Sequence, residues 1–261
     1  MPDRVLITGA AGGLGAATVD RFVRGGWTVY AADLIPPDAR ERVVPLVLDV
    51  TDQASVDAAV AQIDALAAVV NFAGILGVGA LMDVPADSFA RVLEVNVVGT
   101  HRVNRAVFGL LHASRGRIIN ISSETGWQTA LPTNGPYATS KHAIEAYSDA
   151  LRRELMFVGV DVAIIEPGPF RTSMTQGIQA SFDAATVAGS PFERLIRKVG
   201  RLASGEEAKA HDPALLADVI WTAATSPRPK VRYSVKPDPA RSAMTHLPAP
   251  LLDRILKLAL R

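Results

Sequence analysis

Short apolar runs recur along the chain at residues 5–8, 28–32, 44–48, 68–72, 117–121, 161–166 and, more weakly, 232–235. Between them apolar positions fall into helical spacing, as over 16–24 and 137–153. Strand-like and helix-like segments taking turns in this way predict an α/β fold: a doubly wound, Rossmann-type parallel sheet of about seven strands, flanked by helices and joined by right-handed crossovers. Two stretches interrupt the alternation. Residues 33–43 leave little room and begin with Pro36-Pro37, so the second crossover should carry one or two helical turns or none. Residues 173–212 lack strand patterning and are broken at Gly177, Gly189-Ser190-Pro191 and Ser204-Gly205. They read as a helical substrate lid inserted over the carboxyl edge of the sheet, within one domain of residues 1–261.

Composition narrows the class. With 261 residues and 49% hydrophobic content there is material for one well-filled core. The net charge is +1 from 27 basic and 26 acidic residues, scattered without aromatic interleaving, so no nucleic-acid partner is expected. The chain has no cysteine, which removes disulfides, thiol nucleophiles and cysteine-ligated zinc and suits a reducing compartment. His101, His112, His142, His211 and His246 are far apart, and no metal site is expected. The first strand is entered by Val5, with no room for a targeting peptide, so the expectation is a cytoplasmic protein. Residues 65–82 are free of charge but contain Asn71 and are broken by Gly74, Gly77 and Gly79, which predicts a buried strand rather than a membrane span.

The candidate chemistry begins at Thr8-Gly9-Ala10-Ala11-Gly12-Gly13-Leu14-Gly15, directly after the first apolar run. A glycine-rich turn from strand to helix lets the backbone approach a pyrophosphate and places its charge on the free amides at the helix start. The second strand ends at Asp33, about 20 residues further on, where a carboxylate accepts both ribose hydroxyls of an adenosine. Asp33 repels a 2′-phosphate, and neither Gly12 nor Leu34 supplies a cation to hold one. The expected cofactor is therefore NAD rather than NADP.

Tyr137 and Lys141 stand four apart at the start of a helix and so share a face. A free tyrosine has a pKa near 10, about three units too high for acid/base work at neutral pH. An ammonium about 4 Å away contributes on the order of 4 kcal/mol toward the phenolate at an effective dielectric of 20, and the oxidised nicotinamide ring would add a second positive charge, so a Tyr and Lys pair beside a bound dinucleotide suffices as a proton switch. Ser122 and Ser123 close the strand 117–121, where a hydroxyl can donate to a substrate oxygen as charge develops on it.

Taken together these motifs, in this order and spacing, resemble the short-chain dehydrogenase/reductase family in its compact single-domain form, from about Val5 to Thr172. The resemblance implies that Asn96, Ser123, Tyr137 and Lys141 form the catalytic tetrad. Tyr137 would be the general acid/base, Ser123 rather than Ser122 the substrate-oxygen donor, Lys141 the ribose binder and Asn96 the anchor of a proton-relay water. It also implies cofactor contacts from Gly9, Gly12, Gly13, Leu14 and Gly15, and from Asp49 with Val50 at the adenine. Further contacts would come from Phe72, Ala73 and Gly74 in a variant of the family's NNAG element, with Phe72 in place of the second Asn, and from Phe170 and Thr172 in a PGxxxT segment. Residues 145–155 and 226–229 are similar to the branch acting on retinoids and hydroxysteroids, with Arg152, Arg153 and Glu154 read as a solvated or interface face. The implied function is interconversion of a hydrophobic secondary alcohol and its ketone or aldehyde. Met174, Ile178, Phe182, Val187, Phe192, Trp127 and Leu131 would line its site, and the assembly would be a homodimer or homotetramer. The amphipathic tail 251–261 is expected to dock on this or a neighbouring subunit, membrane adsorption being the minority reading. Two other classes compete: a catalytically silent nucleotide sensor, against which the intact tetrad argues, and a sugar-nucleotide epimerase or dehydratase, for whose larger carboxyl-terminal domain there is little room.

Overall fold

The computed structural model describes residues 3–172, 177–207 and 210–261. Seven strands form one parallel sheet in the order β3-β2-β1-β4-β5-β6-β7: β1 Arg4–Thr8, β2 Thr28–Asp33, β3 Val43–Val47, β4 Ala68–Asn71, β5 Arg117–Ile121, β6 Asp161–Pro167 and β7 Arg232–Val235. All seven expected strands are present, with ends moved by one residue where ladder hydrogen bonds, rather than hydropathy, decide the boundary. The second crossover contains no helix, as the shortness of 34–42 and its two prolines require.

Neighbouring residues of each central strand serve opposite faces. Val5 and Ile7 of β1 pack with Val29, Val70, Ile119 and Ile165 against α1 (Gly13–Arg24) and α8 (Pro213–Thr225). Leu6, with Tyr30, Val69 and Ile118, packs on the other side against α2 (Gln53–Val60), α4 (Gly99–Ser114) and the end of α5 (Gly135–Leu155). Between α2 and α4 lies α3 (Ala86–Leu93). Phe22, Trp27 and Trp221 fasten α1 to α8 by edge-on ring contacts with centroids 5.1–5.7 Å apart.

The strand order reverses at β1 and β4, and a crevice opens beyond their carboxyl ends, the place where this architecture takes ligands. Below it a buried amide network ties the site's elements together. Asn71 Nδ2 donates to Asn104 Oδ1 at 2.7 Å and to Asn120 Oδ1 at 2.9 Å, and Asn120 Nδ2 donates to Ser148 Oγ at 2.9 Å. Thus β4, β5, α4 and α5 keep a fixed spacing under the crevice.

The stretch expected to form the lid contains α6 (Ile178–Ala184) and α7 (Glu193–Glu207); Met174 lies outside the described residues. Phe182 and Ile196 form a small core of their own with Ala80, joined by Ile178 and Phe192, while Val187 is exposed. Phe182 and Phe192 thus pack this stretch onto Ala80 of the segment after β4. After β7 come α9 (Pro239–Met244) and α10 (Ala249–Ala259). The tail docks on its own chain: Leu252 is buried and Lys198 of α7 donates to the Arg261 carbonyl at 2.6 Å, leaving Leu251, Ile255 and Leu258 exposed. Among the described residues no helix is long and apolar enough to cross a membrane.

A side chain has no space at the turn between β1 and α1. A Cβ on Gly15 would stand 2.1 Å from the Gly9 carbonyl oxygen. Gly15→Ala should therefore cost about 1–3 kcal/mol by forced displacement of backbone, read as a lowered thermal midpoint; an unchanged midpoint would show that the turn has slack.

Candidate active site

The crevice is walled by the glycine turn on one side and by the ends of β2, β3 and β4 on the other. Gly9 takes φ +67°, and a Cβ there would lie 2.9 Å from the Ala73 amide nitrogen, so the turn and the end of β4 touch backbone to backbone. Gly12 is the extended N-cap of α1 and gives no side-chain cap. The amides of Gly13, Leu14 and Gly15 therefore remain for an anion at the positive end of the helix. Thr172 lies across from them, its Cα 3.3 Å from where a Gly13 Cβ would be. This cradle fits a dinucleotide's pyrophosphate.

The other residues named from the sequence distribute around the same opening. Asp33 stands on its rim with Leu34; its Oδ2 accepts from the Ala11 amide at 3.0 Å and its Oδ1 from the Leu34 amide at 2.8 Å, which fixes the carboxylate against the glycine turn. Asp49 and Val50 line the wall beyond β3, where Asp49 accepts from the Thr51 amide and hydroxyl and its carboxyl is held below the ordinary range by those bonds. Phe72, Ala73 and Gly74 form the floor, with Ala73 N–H donating to the Thr8 hydroxyl at 3.2 Å. Phe170 is buried outside the cleft wall, where its ring tilts against His211 with centroids 5.8 Å apart.

Beyond the carboxyl end of β5 the four polar residues come together. Ser123 Oγ caps a 3-10 turn, Glu124–Gly126, accepting from the Thr125 amide at 3.2 Å, and the Ser123 side chain acts on the Tyr137 phenol, lowering its value. Lys141, one turn along α5 from Tyr137, places its Nζ 5.5 Å from the tyrosine ring centroid and donates to the Ile121 carbonyl at 2.9 Å. Asn96 sits in a π turn, Glu94–Val98, rather than in a regular helix: the Gly99 amide bonds the Glu94 carbonyl five residues back. The widened turn aims the Asn96 side chain at two partners. Its Oδ1 accepts from the Ile75 amide at 2.8 Å, and its Nδ2 donates to the Ile75 carbonyl at 3.0 Å and to Ser140 Oγ at 2.9 Å. Ser140 in turn donates to the Tyr137 carbonyl at 2.7 Å. Asn96 thus ties the segment after β4 to the start of α5, with both of its amide hydrogens engaged.

Comparison with known proteins decides the family. The model of the family described as short chain dehydrogenase matches residues 3–182. The chain belongs to the short chain dehydrogenase family. It is 33% identical over 275 residues to "NADPH-dependent 3-dehydrocapnine reductase" of Ornithobacterium rhinotracheale, with 96% of this chain and 94% of the relative covered. It is also 33% identical over 279 residues to "Retinol dehydrogenase 16" of Rattus norvegicus, covering 96% and 86%. A short-chain dehydrogenase structure from Streptomyces avermitilis superposes with a TM-score of 0.75 at 24% identity, over 98% of this chain and 94% of that one. A second, from Burkholderia cenocepacia in complex with NADP, gives 0.76 at 23%, over 98% and 96%. The fold, the family and its retinol and hydroxysteroid dehydrogenase-like branch are those read from the sequence, and the protein is an oxidoreductase of this type.

Electrostatics in this dehydrogenase depart from the sequence expectation. The phenol of Tyr137 is pushed up to about 12, chiefly by burial and further by the nearby Glu124 carboxylate, against which the Ser123 hydrogen bond and the Arg241 guanidinium work. Lys141 is not among the groups acting on the phenol; burial lowers its own amine to about 8, and its Nζ donates to a backbone carbonyl. Of the switch expected from Tyr137 and Lys141 beside a bound oxidised nicotinamide, the lysine's share is outweighed here by desolvation. Glu124 and Arg241 were not singled out in the sequence at all. They are 117 positions apart, and no local pattern signals their 3.1 Å contact.

The Lys141 displacement has a measurable sign. An amine whose folded value is below its unfolded value binds fewer protons folded than unfolded between the two, so stability rises with pH through that window. From neutral pH to above 10.5, wild type should gain up to about 3 kcal/mol relative to Lys141→Met in chemical denaturation; a difference that does not vary with pH would refute the buried, discharged lysine.

Proposed function

We propose that this chain is an NAD-linked dehydrogenase and ketoreductase for a hydrophobic secondary alcohol, with Tyr137 as the acid/base. The observation that carries the reading is Lys141 Nζ 5.5 Å from the Tyr137 ring, one helical turn away, with Ser123 acting on the same phenol, at the carboxyl edge of the sheet beside a glycine cradle. In the oxidative direction the alcohol proton passes to the Tyr137 oxygen while Ser123 donates to the substrate oxygen. In the reductive direction Tyr137 returns that proton to the oxygen. A bound nicotinamide supplies the hydride acceptor or donor and, oxidised, a positive charge. Lys141 holds the ribose, and Asn96 keeps the base of α5 in place and anchors the path by which the proton leaves. Phe170, through its backbone, and Thr172 hold the carboxamide and phosphate end, while Asp49, Val50, Phe72, Ala73 and Gly74 hold the adenine and its ribose.

The preference for NAD rests on Asp33. Its carboxylate stands at the rim where a 2′-phosphate would lie. The basic residues next along the chain are engaged elsewhere: Arg40 pairs with Asp20 and Arg42 donates to the Gly26 carbonyl. Arg91, also on the cleft wall, lies 3.3 Å from the Thr51 hydroxyl beside Asp49. One relative's name specifies NADPH, so the charge at position 33 carries this part of the reading against that likeness. The relatives named a retinol dehydrogenase and a 3-dehydrocapnine reductase support a hydrophobic substrate, as do the half-buried Trp127 and Leu131 of the loop before α5.

Tyr137→Phe should lower turnover about 1,000-fold while NAD still binds, measured by NADH absorbance with a panel of steroid, retinoid and aliphatic alcohols; equal turnover would remove Tyr137 from the chemistry. Asp33→Ala should weaken NAD binding by about 1–2 kcal/mol and NADP binding less. Tighter NADP than NAD binding by the wild type would reverse the cofactor assignment.

A further inference from the structure

The 3-10 turn after Ser123 is fastened to a segment far away in the chain. Glu124, with its side chain 7% exposed, presents Oε1 to Arg241 Nη1 at 3.1 Å. Its Oε2 accepts from the Asp238 amide at 2.6 Å and from Gln128 Nε2 at 3.3 Å. Gln128 Nε2 also donates to Ser242 Oγ at 3.1 Å, and the Thr129 amide donates to Thr245 Oγ1 at 3.2 Å. On its other side the turn is wedged against α5, where a Cβ on Gly126 would stand 2.4 Å from Ser122 Oγ and 3.0 Å from the Lys141 carbonyl. Glu124, Thr125, Gln128 and Thr129 are thus each hydrogen-bonded to a residue of 238–245.

We infer that Glu124 and Arg241 are a positioning pair for the reaction: together they hold the Ser123 hydroxyl on Tyr137 and balance the charge around that contact, making the α9 segment part of the active site. The inference rests on the acid/base role proposed for Tyr137. A buried carboxylate beside a hydroxyl that must donate to a developing oxyanion is unfavourable unless a cation offsets it. Arg241 is that cation, and α9 is held where it is by Asp238, which caps the helix by accepting from the Arg241 amide at 2.7 Å. The charges acting on Tyr137 are Glu124, from the turn, and Arg241, from α9. Those acting on Glu124 are Asp238 and Arg241. On α5 the neighbouring charges are Lys141 and Glu145, and Glu145 acts on Lys141. Beyond them Glu166 of β6 is coupled to Glu145 and to Arg232 of β7. Of these, only Glu124 and Arg241 act on Tyr137 with opposite signs.

That opposition supplies a test that a purely structural pair would fail. Glu124→Gln, Arg241→Met and the double variant are compared by the pH dependence of alcohol oxidation. They are also compared by tyrosinate absorbance with NAD bound, each against its own Tyr137→Phe blank, a readout that needs no substrate. Arg241→Met should move the Tyr137 titration up and Glu124→Gln should move it down, each by on the order of one pH unit, with the double variant between them. Shifts in the same direction, or none, would overturn the inference and leave two residues that serve folding alone. If Arg241→Met does not give folded protein, Glu124→Gln and Arg241→Lys carry the test: a downward shift in the first and none in the second support the pair, and any other pattern contradicts it. A wild type that oxidises no alcohol, yet shows the opposed titration shifts, would remove the proposed reaction while keeping the electrostatic pair.

Discussion

The contact on which the rest of this protein depends is backbone against backbone: Gly9 on Ala73, and Gly15 on Gly9, at the point where the strand order reverses. Two side-chain-free positions let the end of β1 close to within van der Waals range of the end of β4. That closeness aims the first amides of α1 into the crevice and places Asp33 against the Ala11 amide. The cradle cannot be widened without shifting β4, because Asn71 at its end is locked into the amide network with Asn104 and Asn120. The glycine turn and the elements around Asn71 are thus joined in one frame.

Within that frame two effects oppose each other at Tyr137. Burial favours the neutral phenol, and the protein's own charges oppose each other, Arg241 lowering it and Glu124 raising it. In our account the balance is tipped by the positive charge of a bound oxidised nicotinamide, which makes the acid/base competent when a hydride acceptor is present and leaves it inert otherwise. A phenol held at neutral value by lysine alone would lack that dependence.

Much of the fold and part of the site were legible in the sequence. The seven strands could be read because strands buried on both faces are apolar along their length, and the glycine turn, Asp33 and the Tyr137–Lys141 spacing because each is a local pattern. What was not legible depends on contacts between distant segments. The π turn at Asn96 arises from one i to i+5 hydrogen bond that leaves the apolar spacing almost unchanged. Phe182 and Phe192 had the hydropathy of a substrate lining but found Ala80 and Ile196 instead. The direction of the Tyr137 shift required knowing which groups surround the phenol and where Lys141 points.

The central claim, that Tyr137 gives up its proton under the charge of the oxidised cofactor, is tested most directly by counting protons released when NAD binds. Calorimetric titration at mildly alkaline pH, in two buffers of different ionisation enthalpy, gives that number for wild type and for Tyr137→Phe. The account predicts a release by wild type that is largely lost in Tyr137→Phe. Equal release from both proteins would mean that the phenol keeps its proton and that the acid/base lies elsewhere.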